Sequence, residues 1–443
     1  MLAAILSVYK PAKFAAPLPR AEADKTYPAW RRQMMLTIFA GYAGYYFVRS
    51  NFSIAKPYMI KELGLTTGDV GLIATGLSVA YGVSKFVMGS VSDRSNPRYF
   101  MATGLIVSGI INLFFTQLHS VPAMACAWFA NGWFQGMGWA PCARILTHWF
   151  SDRERGTKFA EWNVAHNVGA GLAGPLCSLA LMMCAAWTSL FYVPAIVSII
   201  MGVLIAVFLR DTPQSVGLPA IEEYKNDYPE TAVADREKEM TAKEIFLGHI
   251  LNNRNLWILA FANLFVYVVR YGVLTWAPTY LMSVKCCSGG AARWLFAVYE
   301  YAGIPGMLVA GWMTDRFFSG RRGPVGVAYM AVVTAAVAVY WLNPPGHYFV
   351  DMCALATAGF FIYGPVMLVG VAAVDLVPKK AAGTAAGLTG FFGYVGGATI
   401  AELGIGKAVQ HYGWGCGFAM VLASGILAMA LLALTWHAHE RHS

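Results

Sequence analysis

Two arginines stand where an apolar chain holds charge only at a cost. Arg49 lies in the run Gly41-Tyr-Ala-Gly-Tyr-Tyr-Phe-Val-Arg49-Ser-Asn-Phe52, and Arg270 in Phe265-Val-Tyr-Val-Val-Arg270-Tyr-Gly272. Each is roughly fourteen residues into an aromatic segment, which in a helix rising about 1.5 Å per residue puts it near the midplane of a bilayer. A charge at that depth costs about 2.5–3.5 kcal/mol on insertion scales, so it marks a function unless it is paired or snorkels to an interface. The two arginines are 221 positions apart in a chain of 443, and the same offset carries Tyr46 onto Tyr267 and Pro57 onto Pro278. Central depth repeated in two copies argues against snorkelling. The pattern reads as a duplicated membrane protein in which each half points one arginine at a shared anionic ligand. Phosphate suits such a pair, because the planar guanidinium stays protonated and makes bidentate, charge-assisted hydrogen bonds. Two facing guanidiniums repel each other unless an anion lies between them. Closure around an empty site is then costly, and closure around a dianion is favourable.

Three further ionisable groups are singled out inside apolar segments: Lys85, His166 and Glu300. A buried histidine is commonly a satisfied packing group, yet between two arginines His166 could bind the same phosphate. Lys85 and Glu300 could pair with the arginines or with each other, and Glu300 keeps a proton relay open, since intramembrane carboxylates often carry protons. Tyr42, Tyr46, Tyr267, Tyr363 and Tyr394, with Trp139, could line a polar cavity, although aromatic stripes more often only pack. Gly132, Gly136 and Gly138, and the cluster from Gly169 to Gly174, read as sites of close helix approach.

The elements that must hold these residues follow from composition. With 58% hydrophobic and 12% charged residues and a mean hydropathy of +0.53, the chain lies outside soluble averages. Twelve spans are read at about 34–59, 69–92, 98–118, 122–149, 157–183, 187–209, 256–283, 291–314, 324–343, 348–376, 382–408 and 414–437. This gives a cytoplasmic N-terminal segment (1–33), a six-helix half (34–210), a polar cytoplasmic linker (211–255), a second six-helix half (256–438) and a tail (439–443). Lys and Arg collect before the first span and after the second, fourth, eighth and tenth, which places both termini and the linker in the cytoplasm. The net charge of +9 is therefore read as loop charge rather than nucleic-acid affinity. Eight cysteines fall mostly within spans, none with metal-ligand spacing. The segment before the first span lacks the apolar core of a secretory signal. No Gly-x-x-x-x-Gly-Lys-Ser/Thr loop, nucleophile–base pair or metal site is present, so neither an ATP-driven pump nor an enzyme is expected, and no cofactor.

The duplication extends into the loops. Gly89-Ser-Val-Ser-Asp93-Arg94 returns as Gly311-Trp-Met-Thr-Asp315-Arg316, and Asn167-Val-Gly169 is echoed by Tyr394-Val-Gly396. Longer runs carry a resemblance: Ser84-Lys-Phe-Val-Met-Gly-Ser-Val-Ser-Asp-Arg-Ser-Asn-Pro97, Gly132-Trp-Phe-Gln-Gly-Met-Gly-Trp139, Asp211-Thr-Pro-Gln-Ser215, Ile221-Glu-Glu-Tyr-Lys-Asn-Asp-Tyr-Pro229, Tyr299-Glu-Tyr-Ala-Gly-Ile-Pro-Gly306 and Pro378-Lys-Lys-Ala-Ala-Gly-Thr-Ala-Ala-Gly387. Over nearly its whole length the chain resembles the organophosphate:phosphate antiporters of the major facilitator superfamily, the glycerol-3-phosphate carriers above all.

The resemblance implies an all-α membrane protein of twelve transmembrane helices in two pseudo-symmetric halves. It implies a monomer in the bilayer of the bacterial inner membrane that takes in glycerol-3-phosphate, or a related small organophosphate, in exchange for inorganic phosphate. It places Arg49, Arg270 and His166 on the phosphate, with Lys85, Tyr42, Tyr46, Tyr267, Trp139, Asn163, Glu300, Tyr363 and Tyr394 around them. Asp93, Arg94, Asp315, Arg316 and Arg322 become gating residues. Two departures stand out. Glycerol-3-phosphate and hexose-phosphate members carry lysine where this chain has Ser50 and an acidic residue where it has Thr275. The phosphoglycerate carriers resemble it there, so a phosphoglycerate or hexose phosphate stays open as the ester. A membrane sensor on the same fold and a proton-coupled symporter using Glu300 and His166 are the readings from other classes.

Overall fold

The computed structural model describes residues 9–92, 94–227, 250–318, 320–377 and 382–436. Asp93, Lys379, Lys380 and the middle of the linker lie outside the described residues.

Among the described residues twelve helical rods follow one another. The first six are α1 (Arg20–Leu63), α2 (Thr67–Ser92), α3 (Pro97–Phe115), a broken rod of α4 (Val121–Gln135) and α5 (Trp139–Trp149), a second broken rod of α6 (Asp152–Asn163) and α7 (Ala165–Met183), and α8 (Ser189–Phe208). A short 3₁₀ turn (Pro213–Val216) and helix (Ile221–Lys225) precede the second set. That set is α9 (Arg254–Ser283), α10 (Gly289–Phe317), α11 (Arg322–Leu342), α12 (Tyr348–Asp375), a rod of α13 (Ala382–Phe391), two π-helical stretches (Phe392–Ala398, Ile400–Gly404) and α14 (Ile405–Tyr412), and finally α15 (Trp414–Leu434).

Eight rods are long and apolar enough to cross a membrane by length and hydropathy alone. The other four are α1, α2, α10 and the α4–α5 rod. Three of them carry the charges Arg49 and Lys56, Lys85, and Arg293 and Glu300. The fourth is interrupted between Gln135 and Trp139. Charge inside the rod lowers hydropathy in three of the four, whereas α9 holds Arg270 and still passes.

Helix ends are fixed locally. Asn96, Asn253 and Ser288 each accept a backbone N–H of the following first turn, satisfying donors that a helix start leaves orphaned. Gly64 ends α1 at φ 65°, a left-handed conformation that glycine adopts without a Cβ penalty.

The halves pack alike. α2 lies on α4 and α3 on α8; correspondingly α10 lies on α12 and α11 on α15. Between the halves, α7 packs on α10, α2 on the α13–α14 rod, and α1 on α9. Small residues permit the closest crossings: a Cβ on Gly169 would stand 2.3 Å from the Ala43 carbonyl oxygen.

At the end that holds the termini, residues 9–19 lie along the start of the linker. The Ala12 N–H donates to Asp211 (3.0 Å), and the Ala15 and Leu18 N–H groups donate to the Gln214 and Gly217 carbonyls. Arg31 of α1 pairs there with Glu154 of α6. The opposite, distal end carries the Gly64 and Val284 turns.

Candidate anion-binding site

The position of Arg49 is set one residue earlier. Val48 leaves helical geometry (φ −96°, ψ 16°), which frees carbonyls that an apolar interior cannot leave unpaired. Asn131 of α4 and Asn112 of α3 donate to the Val48 carbonyl at 2.9 and 3.2 Å. Gln135 donates to the Tyr45 carbonyl at 3.1 Å. Asn51 donates to Asn112 (3.0 Å) and to the Leu190 carbonyl (3.1 Å). Neighbouring helices thus pin the kink by amide side chains, and the kink aims the arginine. Arg270 sits on α9, where Tyr299 donates to its carbonyl (3.4 Å).

Both guanidiniums are buried, Arg49 at 9% and Arg270 at 5% exposure. Arg49 Nη2 donates to the Tyr271 hydroxyl of the other half at 2.9 Å. Its guanidinium lies 4.5 Å from the ring centre of Tyr81 and 5.6 Å from those of Tyr46 and Tyr394. Arg270 Nη2 donates to the Tyr363 hydroxyl at 3.3 Å, with the Tyr363, Tyr271 and Tyr267 rings at 4.6, 5.2 and 5.7 Å. Aromatic faces stabilise a cation by about 2 kcal/mol when desolvated, but they do not neutralise it. Among the described residues no carboxylate forms an ion pair with either arginine, and Arg270 Nε has no hydrogen-bond partner. Two buried cations with donors to spare are the arrangement that an anion-binding site requires.

Glu300 is tied in indirectly. Tyr363 donates to its Oε2 at 2.6 Å while accepting from Arg270. Asn167, from the first half, donates to the same carboxylate at 3.2 Å and to the Glu300 carbonyl at 3.1 Å. His166 follows the break between α6 and α7, where its Nδ1 meets the Asn163 carbonyl. A carbonyl can only accept, so Nδ1 carries the proton and Nε2 remains available. The His166 ring lies 5.9 Å from Tyr46 and 5.6 Å from Tyr363.

The remaining expected residues form the surround. Tyr394 is carried on the π-helical stretch, 4.8 Å from Tyr81 and 5.0 Å from Tyr267. Tyr42 reaches the site through Tyr46 (5.7 Å) and packs at a tilt on Trp162 (4.8 Å). Trp139 also packs on Trp162, and Lys85 Nζ lies 5.0 Å above its ring. The pairing of Lys85 with Glu300 that the sequence left open is not formed: Glu300 is engaged by Tyr363 and Asn167. Asn163 donates to the Met307 sulfur of the other half (3.3 Å). Ser50 and Thr275 line one cavity with Arg49, Arg270 and Glu300, and Thr275 turns its hydroxyl to the Tyr271 carbonyl (2.7 Å). Of the expected gating residues, Arg322 bridges Asp315 (3.2 Å) and Asp375 (3.4 Å). Arg94 and Arg316 are exposed, and Asp93 lies outside the described residues.

Sequence reasoning missed several participants. Tyr81 and Tyr271 gave no signal beyond being aromatic, and Asn167 stood out only as the start of the Asn167-Val-Gly169 echo, with no role read for it. A correction concerns charge: besides Lys85, His166 and Glu300, the spans also hold Lys56 and Glu402, a buried pair 2.5 Å apart. Lys56 was legible as a charge inside span 34–59, and Glu402 as one inside 382–408.

Residues 38–401 match the Major Facilitator Superfamily. A glycerol-3-phosphate transporter of Bacillus subtilis is 54% identical over 441 residues, 99% of either chain. A probable hexose phosphate transport protein of Chlamydia muridarum is 42% identical, covering 94% of this chain and 93% of that one. Among solved structures, a bacterial homologue of the human lysosomal transporter Spinster, inward-facing and occupied, superposes with a TM-score of 0.72 at 15% identity. It covers 94% of this chain and 99% of its own, a likeness of fold.

Proposed function

The chain belongs to the organophosphate:phosphate antiporter family of the major facilitator superfamily, and on that premise we propose that it imports glycerol-3-phosphate in exchange for inorganic phosphate. One observation carries the reading: two buried arginines, one from each half, face a common site with no carboxylate partner among the described residues. A phosphate dianion supplies the missing charge and accepts from both forks. The near full-length likeness to a glycerol-3-phosphate transporter supports the ester, and the likeness to a hexose phosphate transport protein makes hexose phosphate the second candidate. Ser50 and Thr275, beside the clamp, are where the choice between esters is made.

The cycle follows from the charges. Unoccupied, the guanidiniums repel and the halves resist closing over the site. Bound phosphate bridges them and lets the halves rock past it, exposing the site to one membrane face and then the other. His166 completes the shell as an imidazolium: the dianion stabilises a second proton on Nε2, which donates to it while Nδ1 stays on the Asn163 carbonyl. The carrier works as a monomer in the bacterial inner membrane with both termini in the cytoplasm, so that the distal end faces outward.

The test is uptake of labelled glycerol-3-phosphate into liposomes loaded with phosphate, set against liposomes loaded with chloride. Phosphate inside should raise uptake at least tenfold. Equal uptake in both, or uptake driven by a pH gradient without internal phosphate, would overturn exchange in favour of symport. Saturable binding with no flux would leave a sensor.

A further inference from the structure

Cross-half contacts gather at the distal end. Thr67 donates to the Gly406 carbonyl (2.8 Å), and Arg293 donates to Ser178 (2.8 Å) and Tyr58 (2.7 Å). Among the described residues one distal contact between the halves is an ion pair. Lys56 of α1 and Glu402 of the second π-helical stretch meet at 2.5 Å, with Lys56 at 0% and Glu402 at 4% exposure. The Lys56 ammonium also lies 4.2 Å over the Trp276 ring, so its surroundings come from the opposite half as well. Backbone approach is close at this point, since a Cβ on Gly71 would stand 2.4 Å from the Glu402 carbonyl oxygen.

A buried ion pair is stable only while it stays both paired and dry. Removing one partner strands the other charge in a dry interior, whereas replacing both by apolar groups is often neutral. Lys285 and Asp351 are buried just as deeply at 3.2 Å, but both belong to the second half, so rocking leaves that pair intact. Lys56 and Glu402 belong to different halves and must part when the distal end opens. Glu402 also lines the cavity that holds Arg49 and Arg270, so water admitted there reaches the pair directly.

We propose that Lys56 and Glu402 form the latch of the distal gate: paired they hold the halves shut there, and wetted they separate as the site opens outward. This rests on the alternating-access reading above. The pair joins the two halves beside the cavity that Ser50, Thr275 and Glu402 line together.

The experiment measures the distance between spin labels on Glu62 and Gln410, both exposed at the distal end, in a variant with its eight cysteines replaced. Lys56→Met and Glu402→Gln should each shift the distribution to longer distances and slow exchange at least tenfold, because each strands one charge. The charge swap Lys56→Glu with Glu402→Lys, and the apolar pair Lys56→Met with Glu402→Met, should return it to the short distance. Unchanged distances in the single variants would overturn the latch, as would doubly altered variants of normal thermal stability that stay open. The distance reading needs no transport, so failure of the latch is separable from failure of the exchange.

Discussion

At the residue scale the site rests on geometry more than on charge. Lysine in place of either arginine keeps the cation but offers a point charge where the fork offered two parallel donors. Arg49→Lys and Arg270→Lys should each lower phosphate affinity about 100-fold. Charge-assisted hydrogen bonds contribute about 1.5–3 kcal/mol, and about 1.4 kcal/mol is tenfold. Titration of purified protein with labelled phosphate checks this, and affinity within threefold of the parent would remove the clamp. These two positions were legible because charge inside an apolar run is rare. Tyr271 and Tyr81, which touch or face Arg49, were not: in an aromatic-rich span any tyrosine is first a packing residue, and only the fold shows which hydroxyl meets which guanidinium. Lys56 and Glu402 carried the same rare signal as the arginines but lie at unmatched positions in the two halves, so the repeat that singled out the arginines passed over them.

At the element scale, hydrophobic runs revealed where the rods lie but not where they bend. Val48 departs from helical geometry with no proline or glycine beside it. What holds the bend is Asn112 and Asn131 donating from other helices, tertiary contacts that no local pattern announces. The π-helical run from Phe392 is likewise invisible to an apolar count, yet it fixes which face of the rod presents Tyr394 and Glu402. The bend carries its own prediction. Asn131 meets the site only through the Val48 carbonyl, which makes it a positioning residue. Asn131→Leu should leave Asn112 as that carbonyl's remaining donor, at a cost of about 0.5–1.5 kcal/mol for one lost hydrogen bond. Phosphate affinity should fall at least tenfold while the salt dependence of binding stays that of the parent, since the site's charge is untouched. Loss of thermal stability with unchanged affinity would show that Asn131 supports the fold and not the aim of Arg49.

At the scale of the whole molecule, the 221-residue echo makes the two-half plan readable, because duplication leaves its offset in the sequence. It cannot say which end is closed, since one sequence must support every state of the cycle. The arrangement does say what ligand does to the whole. Arg49 and Arg270 belong to different halves, and each is also hydrogen-bonded to a tyrosine of the second half, Tyr271 and Tyr363. An anion held by both therefore couples the halves, and its stabilisation appears in global unfolding as RT ln(1 + [L]/Kd), about 2.7 kcal/mol at a hundred times Kd. Phosphate should raise the melting temperature of the purified protein by several degrees, and chloride at equal ionic strength should not. Because the bridge needs both ends, the loss should be non-additive: Arg49→Lys, Arg270→Lys and the double variant should all forfeit most of the shift. Residual shifts that fall by equal steps from parent to single to double would mean that the arginines act independently, each on its own half, and the shared site would have to be given up.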